Sequence, residues 1–445
     1  MSAHLSKALQ AVIAIVARLG TAVLRSEAKG TLPAMQLRTI LLSAIFIAGA
    51  ALDSQADDAK LRVYILAGQS NMVGQGDVKT IDYMKEDPVT LPIYQSLVGE
   101  DGDLYVSQRV RISSFYGKQN EVGKERLGRL KHGYANRQEA FGPELMFGIT
   151  MEQHFDGPIL IIKMAWGGNS LFNDFRPPSA GPLLPNRYTK YDYSKEKLAT
   201  LAKAYSSKTG RRYRQLIEHV TMVLKDLKRV YPDYEPSRGY ELAGMVWFQA
   251  HADYTNQDIY PLSDGESQYS GYTELLKHFV RDIRRDLDHP DLPFVIGEMG
   301  FWGNLTPGCF NPAGDRVLRT KRFRKAVQAV SKDEEFSGNV LTVPTAPFWD
   351  DELAKISLKL APVDSMRLKL RRRTKGAPNE NGNLSRQEQD DYLKRMQDGL
   401  LTESEQQLWG KAASSGGQIH YMGSAKFYAQ AGQAFAKALL EISSR

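Results

Sequence analysis

The stretch VYILAGQSNMVGQG, residues 63–76, decides how the rest of the chain is read. An apolar run breaks there into a glycine-rich turn around one serine, Ser70. Such a turn serves either as a phosphate cradle at a helix N-terminus or as an elbow that presents a nucleophile. The phosphate forms need G-x-G-x-x-G, or G-x-x-x-x-G-K-[ST] with its lysine. After Gly74 and Gly76 the third glycine position holds Lys79, and no GK[ST] follows. The G-x-S-x-G elbow also fails, because Met72 stands two residues past Ser70. What remains is a serine at the C-terminal end of a strand, followed by Asn71, whose partners lie elsewhere in the chain.

Residues 61–66 form a short apolar run of the kind buried in a parallel sheet, and residues 158–164 (PILIIKM), 242–248 (LAGMVWF) and 292–296 (LPFVI) repeat it. Between them lie helical periodicities at 142–154, 213–230 and 272–287, the last with Leu275, Leu276, Phe279, Ile283 and Leu287 on one face. Strands alternating with helices predict a mostly parallel sheet covered on both faces, with ligands beyond the C-terminal strand ends. Ser70 stands at one such end.

The 445 residues, 42% hydrophobic and 24% charged, suit one large or two ordinary globular domains. A net charge of +7 favours acidic partners mildly, and a solvated basic surface is the plainer reading. Cys309 is the only cysteine, so an intramolecular disulfide and a cysteine metal cluster are both excluded. The segment from Met35 has the parts of a secretory signal peptide: Arg38, an apolar run at 40–52 and a small-residue cleavage site at 54–56. Residues 1–56 are therefore read as a leader whose true start is Met35, and the mature protein as exported. The apolar run is shorter than the ~20 residues of a spanning helix.

Residues 173–193, rich in Pro, Tyr and Arg, read as a long loop. Residues 352–415 read as a charged helical insertion in a domain made of residues 57–351 and 416–445. It contains the basic run Arg371-Arg372-Arg373 and two capping boxes, Ser385 with Glu388 and Thr402 with Glu405. The arginines are read as a solvated face rather than a polyanion grip.

A serine nucleophile needs a base and donors aimed at the oxyanion. Of the eight histidines, His4 precedes the leader, and His154, His219, His278 and His289 lie in or beside charged helical segments that explain them as surface residues. His132 lies in a loop and carries no signal. His251 and His420 remain, and His420, delivered by a Gly-rich loop just before a final amphipathic helix, is the favoured base. For the oxyanion, the Gly167-Gly168 backbone and the Gln249 amide each follow a predicted strand.

AGQSNM, KMAWGGNSL, VWFQ, LPFVIGEMG and IHYMGSAK together resemble the SGNH hydrolase superfamily, within it the sialate O-acetylesterase-like group and the acetylxylan esterases of carbohydrate esterase family 6. The resemblance covers residues 61–440 apart from the helical insertion. It implies a three-layer α/β/α flavodoxin-like fold, no metal or organic cofactor, and an acetylated carbohydrate, sialate or a polysaccharide such as xylan, as partner. Nucleic acid is not expected as a partner, nor a membrane once the leader is removed. It also implies Ser70 as nucleophile, His420 as general base, and an oxyanion hole from the Ser70 N–H, Gly168 and the Gln249 amide. Gln69, Asn71, Glu144 and Asn169 match positions that support the site.

Two departures stand out. The block W-x-Q-G-E-x-D is here Trp247-Phe248-Gln249-Ala250-His251-Ala252-Asp253, and the acid common three residues before the histidine is replaced by Gly417. Asp350 or Asp351 is then the candidate acid, or a backbone carbonyl orients the histidine in a Ser-His dyad. Aromatic residues at 188–193, with Trp166 and Trp302, are candidates to stack on sugar rings. Two other functions fit the same residues: a catalytically silent carbohydrate-binding homologue, and a lipid or thioester hydrolase.

Overall fold

The computed structural model describes residues 59–117, 123–181, 194–206, 209–306, 314–414 and 417–445. The leader, Cys309 and the tyrosines of residues 188–193 lie outside the described residues. Leu61–Pro236 with Tyr240–Arg445 makes one compact unit.

The strands are β1 (Leu61–Gly68), β2 (Gly76–Asp77), β3 (Val110–Gly117), β4 (Lys124–Arg129), β5 (Ala140–Phe141), β6 (Ile159–Trp166), β7 (Tyr240–Phe248), β8 (Phe294–Glu298) and β9 (Val340–Pro344). Seven of them form one sheet in the order β4-β3-β6-β1-β7-β8-β9, while β2 and β5 pair separately. Only β4, hydrogen-bonded to β3, runs antiparallel in the large sheet. The sequence runs from β1 out to β3, returns to β6 beside β1, then crosses to β7 on the other side of β1. Strand order therefore reverses at β1, and the crevice beyond its C-terminal end is where an open α/β sheet binds ligands.

The helices that matter below are α1 (Ser70–Val73), α2 (Pro143–His154), α3 (Arg211–Lys225), α4 (Ser270–Asp286), α5 (Arg316–Ser331), α6 (Asp351–Lys359), α7 (Ala361–Arg372), α8 (Arg386–Leu400), α9 (Glu403–Ala412) and α10 (Ala425–Ser443). Consecutive strand residues point to opposite faces, so Trp247 and Phe248 report both sides of the sheet. The Trp247 ring lies 4.4 Å from Phe279 of α4, and the Phe248 ring 5.2 Å from Phe435 of α10. Helices thus cover both faces, which is why β6 is buried at every position rather than at alternate ones. Burying each large apolar side chain contributes roughly 1.5–3 kcal/mol, so a slip in register that exposed this run would be strongly disfavoured.

The expected helix at 213–230 is two helices, because Asp226 ends α3 and caps Leu227–Val230. The β3/β4 hairpin was not anticipated. In the region read as an insertion, α6 to α9 bury a small cluster of their own, Ile356, Leu360, Val363, Leu370, Leu393 and Leu401. Its two ends do not behave as insertion: Leu353 and Ala354 at the start and Ala412 and Ala413 at the end belong to the main core. Both capping boxes form, at Ser385 and Thr402. The arginines 371–373 end α7 exposed to solvent, where cations suit the helix C-terminus.

Candidate active site

The glycines around Ser70 serve close packing. A Cβ on Gly68 would stand 2.1 Å from the Phe248 carbonyl oxygen, which accepts the Gln69 N–H at 3.3 Å. Gly74 has φ 101°, and a Cβ there would meet the Gly142 nitrogen at 2.4 Å. The strand can therefore turn sharply into α1 with Ser70 as its first residue, half-exposed and with a backbone N–H that has no acceptor within the helix.

Ser70 Oγ lies 3.0 Å from Nε2 of His420, 350 positions away in sequence. The short turn Gln418–Gly423 that carries the histidine puts Tyr421 and Met422 at φ 52° and 54°, a left-handed conformation that non-glycine residues seldom adopt. Such strain persists only where the surroundings over-determine it. Here Asn71 Nδ2 donates to the Ile419 carbonyl at 3.1 Å, and Tyr428 OH of α10 donates to Asn71 Oδ1 at 2.8 Å and to the His420 carbonyl at 3.3 Å. The Gly300 N–H donates to Tyr421 OH at 3.1 Å. Asn71, the residue after Ser70, thereby holds the loop that carries His420. Burial pulls the His420 imidazole down to about 4, and the charge of neighbouring His251 acts in the same direction.

Neither candidate acid reaches His420. Asp350 caps α6, its Oδ1 accepting the Leu353 N–H at 3.0 Å and its Oδ2 the Tyr83 hydroxyl at 2.9 Å. Asp351 stands in the first turn of the same helix, where its charge favours the dipole. Among the described residues no carboxylate is hydrogen-bonded or ion-paired to His420. A helix-capping aspartate and a triad aspartate look alike in sequence.

Gln249 also departs from expectation. Its Nε2 donates to Gln69 Oε1 at 3.0 Å, to the Asn169 carbonyl at 3.2 Å and to Asp253 Oδ2 at 2.7 Å. Three acceptors compete for two hydrogens, and the side chain is 2% exposed, so no donor is left for an oxyanion. Instead the amide ties together the ends of β1, β6 and β7. Gln69 Oε1 continues this network by accepting the N–H groups of Ala250 and Ala252. Asn169 is buried between Gly167, whose carbonyl takes its Nδ2 hydrogen, and Arg212, whose Nε donates to its Oδ1 at 2.8 Å. Gly168 is exposed with φ 72°, and the register Gly68↔Ala165 sets its turn at the same end of the sheet as Ser70.

Two buried charges were missed. Asp253 accepts the N–H groups of Leu171 at 2.7 Å and Phe172 at 3.0 Å, the Gln249 amide and the Tyr260 hydroxyl. Burial pushes its carboxyl up to about 6 against these donors. Lys163 pairs with Glu144 at 2.7 Å, both fully buried, and its Nζ donates to the carbonyls of Val73 at 2.9 Å and Tyr134 at 3.0 Å. Burial lowers the lysine's pKa, and the pair anchors the last residue of α1. A lone lysine inside the apolar run ILIIKMAW was the sequence signal for it.

The departures at 250 and 251 cost little locally. Ala250 has φ −162°, outside the left-handed region that would call for glycine. His251 is half-buried, edge-on to Phe301 at 5.8 Å, and lines a cleft of about 380 Å³ with Phe301, Trp302, Arg316 and Ile419. Burial lowers its pKa. Trp302 is therefore at the cleft, but Trp166 is fully buried under the Arg212 guanidinium, 4.4 Å from its ring, and is out of reach of a sugar. His219 is not a surface residue: it is buried with Nε2 2.9 Å from Ser113 Oγ. Among the described residues no group of three or more His, Cys, Asp or Glu is placed to hold a metal, and no helix is long and apolar enough to cross a membrane.

Residues 60–344 match the SASA family, carbohydrate esterase, sialic acid-specific acetylesterase. No curated protein matches the chain significantly. It is similar to the solved structure of a protein from Arabidopsis thaliana, with 15% identity and a TM-score of 0.32 over 64% of this chain and 86% of that one. It is also similar to a carbohydrate acetylesterase from Xanthomonas citri, with 13% identity and a TM-score of 0.35 over 65% of this chain and 51% of that one, about half its length. With more than half of its residues matched, the chain belongs to the sialic acid-specific acetylesterase family of carbohydrate esterases and is a carboxylic ester hydrolase.

Proposed function

We propose that this chain removes O-acetyl groups from a carbohydrate by acyl transfer through Ser70 and His420. The observation that carries the reading is the 3.0 Å approach of His420 Nε2 to Ser70 Oγ at the sheet's reversal point. Ser70 Oγ attacks the acetyl carbonyl carbon as Nε2 takes its proton. The C–O bond to the sugar then breaks, and the sugar oxygen leaves with that proton. Water attacks the acetyl-Ser70 ester, giving its proton to Nε2, and acetate departs as the proton returns to Ser70. The tetrahedral oxyanion is received by the Ser70 N–H and the Gly168 turn, with Gln249 supporting that turn through the Asn169 carbonyl.

The aromatic-lined cleft beside Ile419 suits a sugar ring, and exposed Arg316 at its wall suits an acidic sugar such as sialate better than neutral xylan. In this reading the leader directs export. An N-terminus that starts after residue 56 in protein recovered outside the cytoplasm supports that, and an intact Met1 there overturns it.

The deciding experiment is hydrolysis of p-nitrophenyl acetate, butyrate and octanoate, and of O-acetylated sialic acid and acetylated xylan, beside Ser70→Ala. Acetate-selective turnover lost in the variant is expected. Octanoate preference would favour a lipid hydrolase, and sugar binding without turnover a silent homologue.

A further inference from the structure

The ring nitrogen of His420 that faces away from Ser70 lies against a residue with no side chain. A Cβ on Gly417 would stand 3.6 Å from Nδ1 and 3.9 Å from the His420 Cβ, with no other contact within 4 Å among the described residues beyond its chain neighbours. Gly417 has φ −74° and ψ 100°, a conformation open to any residue. Its orientation against the ring is held by its own carbonyl, which accepts the N–H groups of His420 at 2.9 Å and Met422 at 3.2 Å. Among the described residues the groups facing His420 are the Ser70 hydroxyl, His251 of the short helix His251–Tyr254, and Tyr428 OH of α10 at the backbone carbonyl. None of these is a carboxylate.

Base catalysis needs the neutral tautomer with hydrogen on Nδ1, which leaves the Nε2 lone pair for the serine. A carboxylate accepting Nδ1–H selects that tautomer and stabilises the imidazolium, and a wrong tautomer costs ~10⁴ in kcat. Carboxylate oxygens lie about 2.4 Å beyond a Cβ, so an acid in the space over Gly417 has rotamers that bring an oxygen within hydrogen-bond reach of Nδ1.

We propose that the space over Gly417 is a binding site for a small carboxylate anion of formate or acetate size, which accepts the Nδ1–H of His420 and orients the ring as a side-chain acid would. Acetate, the product of the proposed reaction, has this chemistry, so turnover supplies its own activator. The inference rests on the Ser70–His420 reading, and its test separates the two.

The full chain with ring-labelled histidine is titrated with formate at constant ionic strength, with chloride as control, following the His420 resonances (assigned by His420→Gln) and p-nitrophenyl acetate turnover. The same is done for Gly417→Asp and Gly417→Ala. Expected is a saturable movement of the wild-type His420 resonances with formate but not chloride, and a several-fold rise in kcat with little change in KM. In Gly417→Asp, His420 titrates at higher pH, formate has no further effect, and kcat rises by on the order of tenfold, within the range an orienting acid commands. Gly417→Ala gains no rate. His420 resonances that ignore formate in the wild type overturn the proposal, whether or not Gly417→Asp folds. Resonances that respond in a protein without turnover uphold the carboxylate site and sink the esterase reading instead.

Discussion

Ser70 and His420 approach to 3.0 Å and Ser113 and His219 to 2.9 Å, yet their surroundings suit the two pairs to different tasks. Ser113 is fully buried on β3, and its hydroxyl donates to Glu125 Oε1 at 2.7 Å. The same carboxylate oxygen lies 3.6 Å from His219 Nε2, and Arg229 grips Glu125 with two bonds of 2.7 and 2.9 Å. The serine proton already has a carboxylate to rest on, and no substrate can reach the oxygen. Ser70 is half-exposed at a strand end, and its only side-chain partner among the described residues is an imidazole. Burial draws both histidines down to about 4, so ionisation does not tell the pairs apart. Access and the destination of the proton do.

The sharpest way to break this comparison is to remove each serine. Ser70→Ala and His420→Ala should lower kcat on p-nitrophenyl acetate by ~10³ or more. Ser113→Ala should keep it within about twofold, losing only the ~1–3 kcal/mol that goes with an unsatisfied buried partner. A folded Ser113→Ala without turnover would reverse the assignment.

Next in size is the ion pair beneath α1. Lys163→Met strands the Glu144 charge in the core and should lower unfolding free energy by ~3–5 kcal/mol in urea titration. A loss below about 1 kcal/mol would mean that the pair adds little to the stability of the core. Asp253→Asn sets an amide against four donors, so stability should fall by ~1–3 kcal/mol and kcat by up to ~10²-fold as the turn after β6 moves. Normal kcat would detach that network from the reaction.

The smallest effect concerns pH. In the proposed reaction His420 must be neutral to act as base, and its pKa is depressed, so kcat/KM should rise with pH through about 4 and stay flat to neutrality. His251→Gln removes a nearby positive charge, which raises the His420 pKa and moves the acid limb to higher pH. An unmoved limb would leave burial as the whole cause.

Apolar runs alternating with amphipathic periods determined the α/β class, because periodicity belongs to residues near each other in sequence. That Ser70 and His420 stand out was legible too: one ends an apolar run in glycines, the other precedes a helix from a glycine-rich loop, and the fold brings them to 3.0 Å. What those glycines do was not, since Gly68 answers to a carbonyl on β7 and Gly74 to a nitrogen before α2. Nor could residue type alone tell that Gln249 binds strand ends together, that Asp350 caps a helix, or that Lys163 meets Glu144. The first and last depend on strand order and register, and Asp350 is held at its helix end by the Tyr83 hydroxyl, 267 positions away. The sequence by itself determined which elements form and which side chains are available for chemistry. Only the tertiary structure decided which acceptor each buried donor meets, because a buried polar group must take whatever partner the packing of distant segments leaves within about 3 Å.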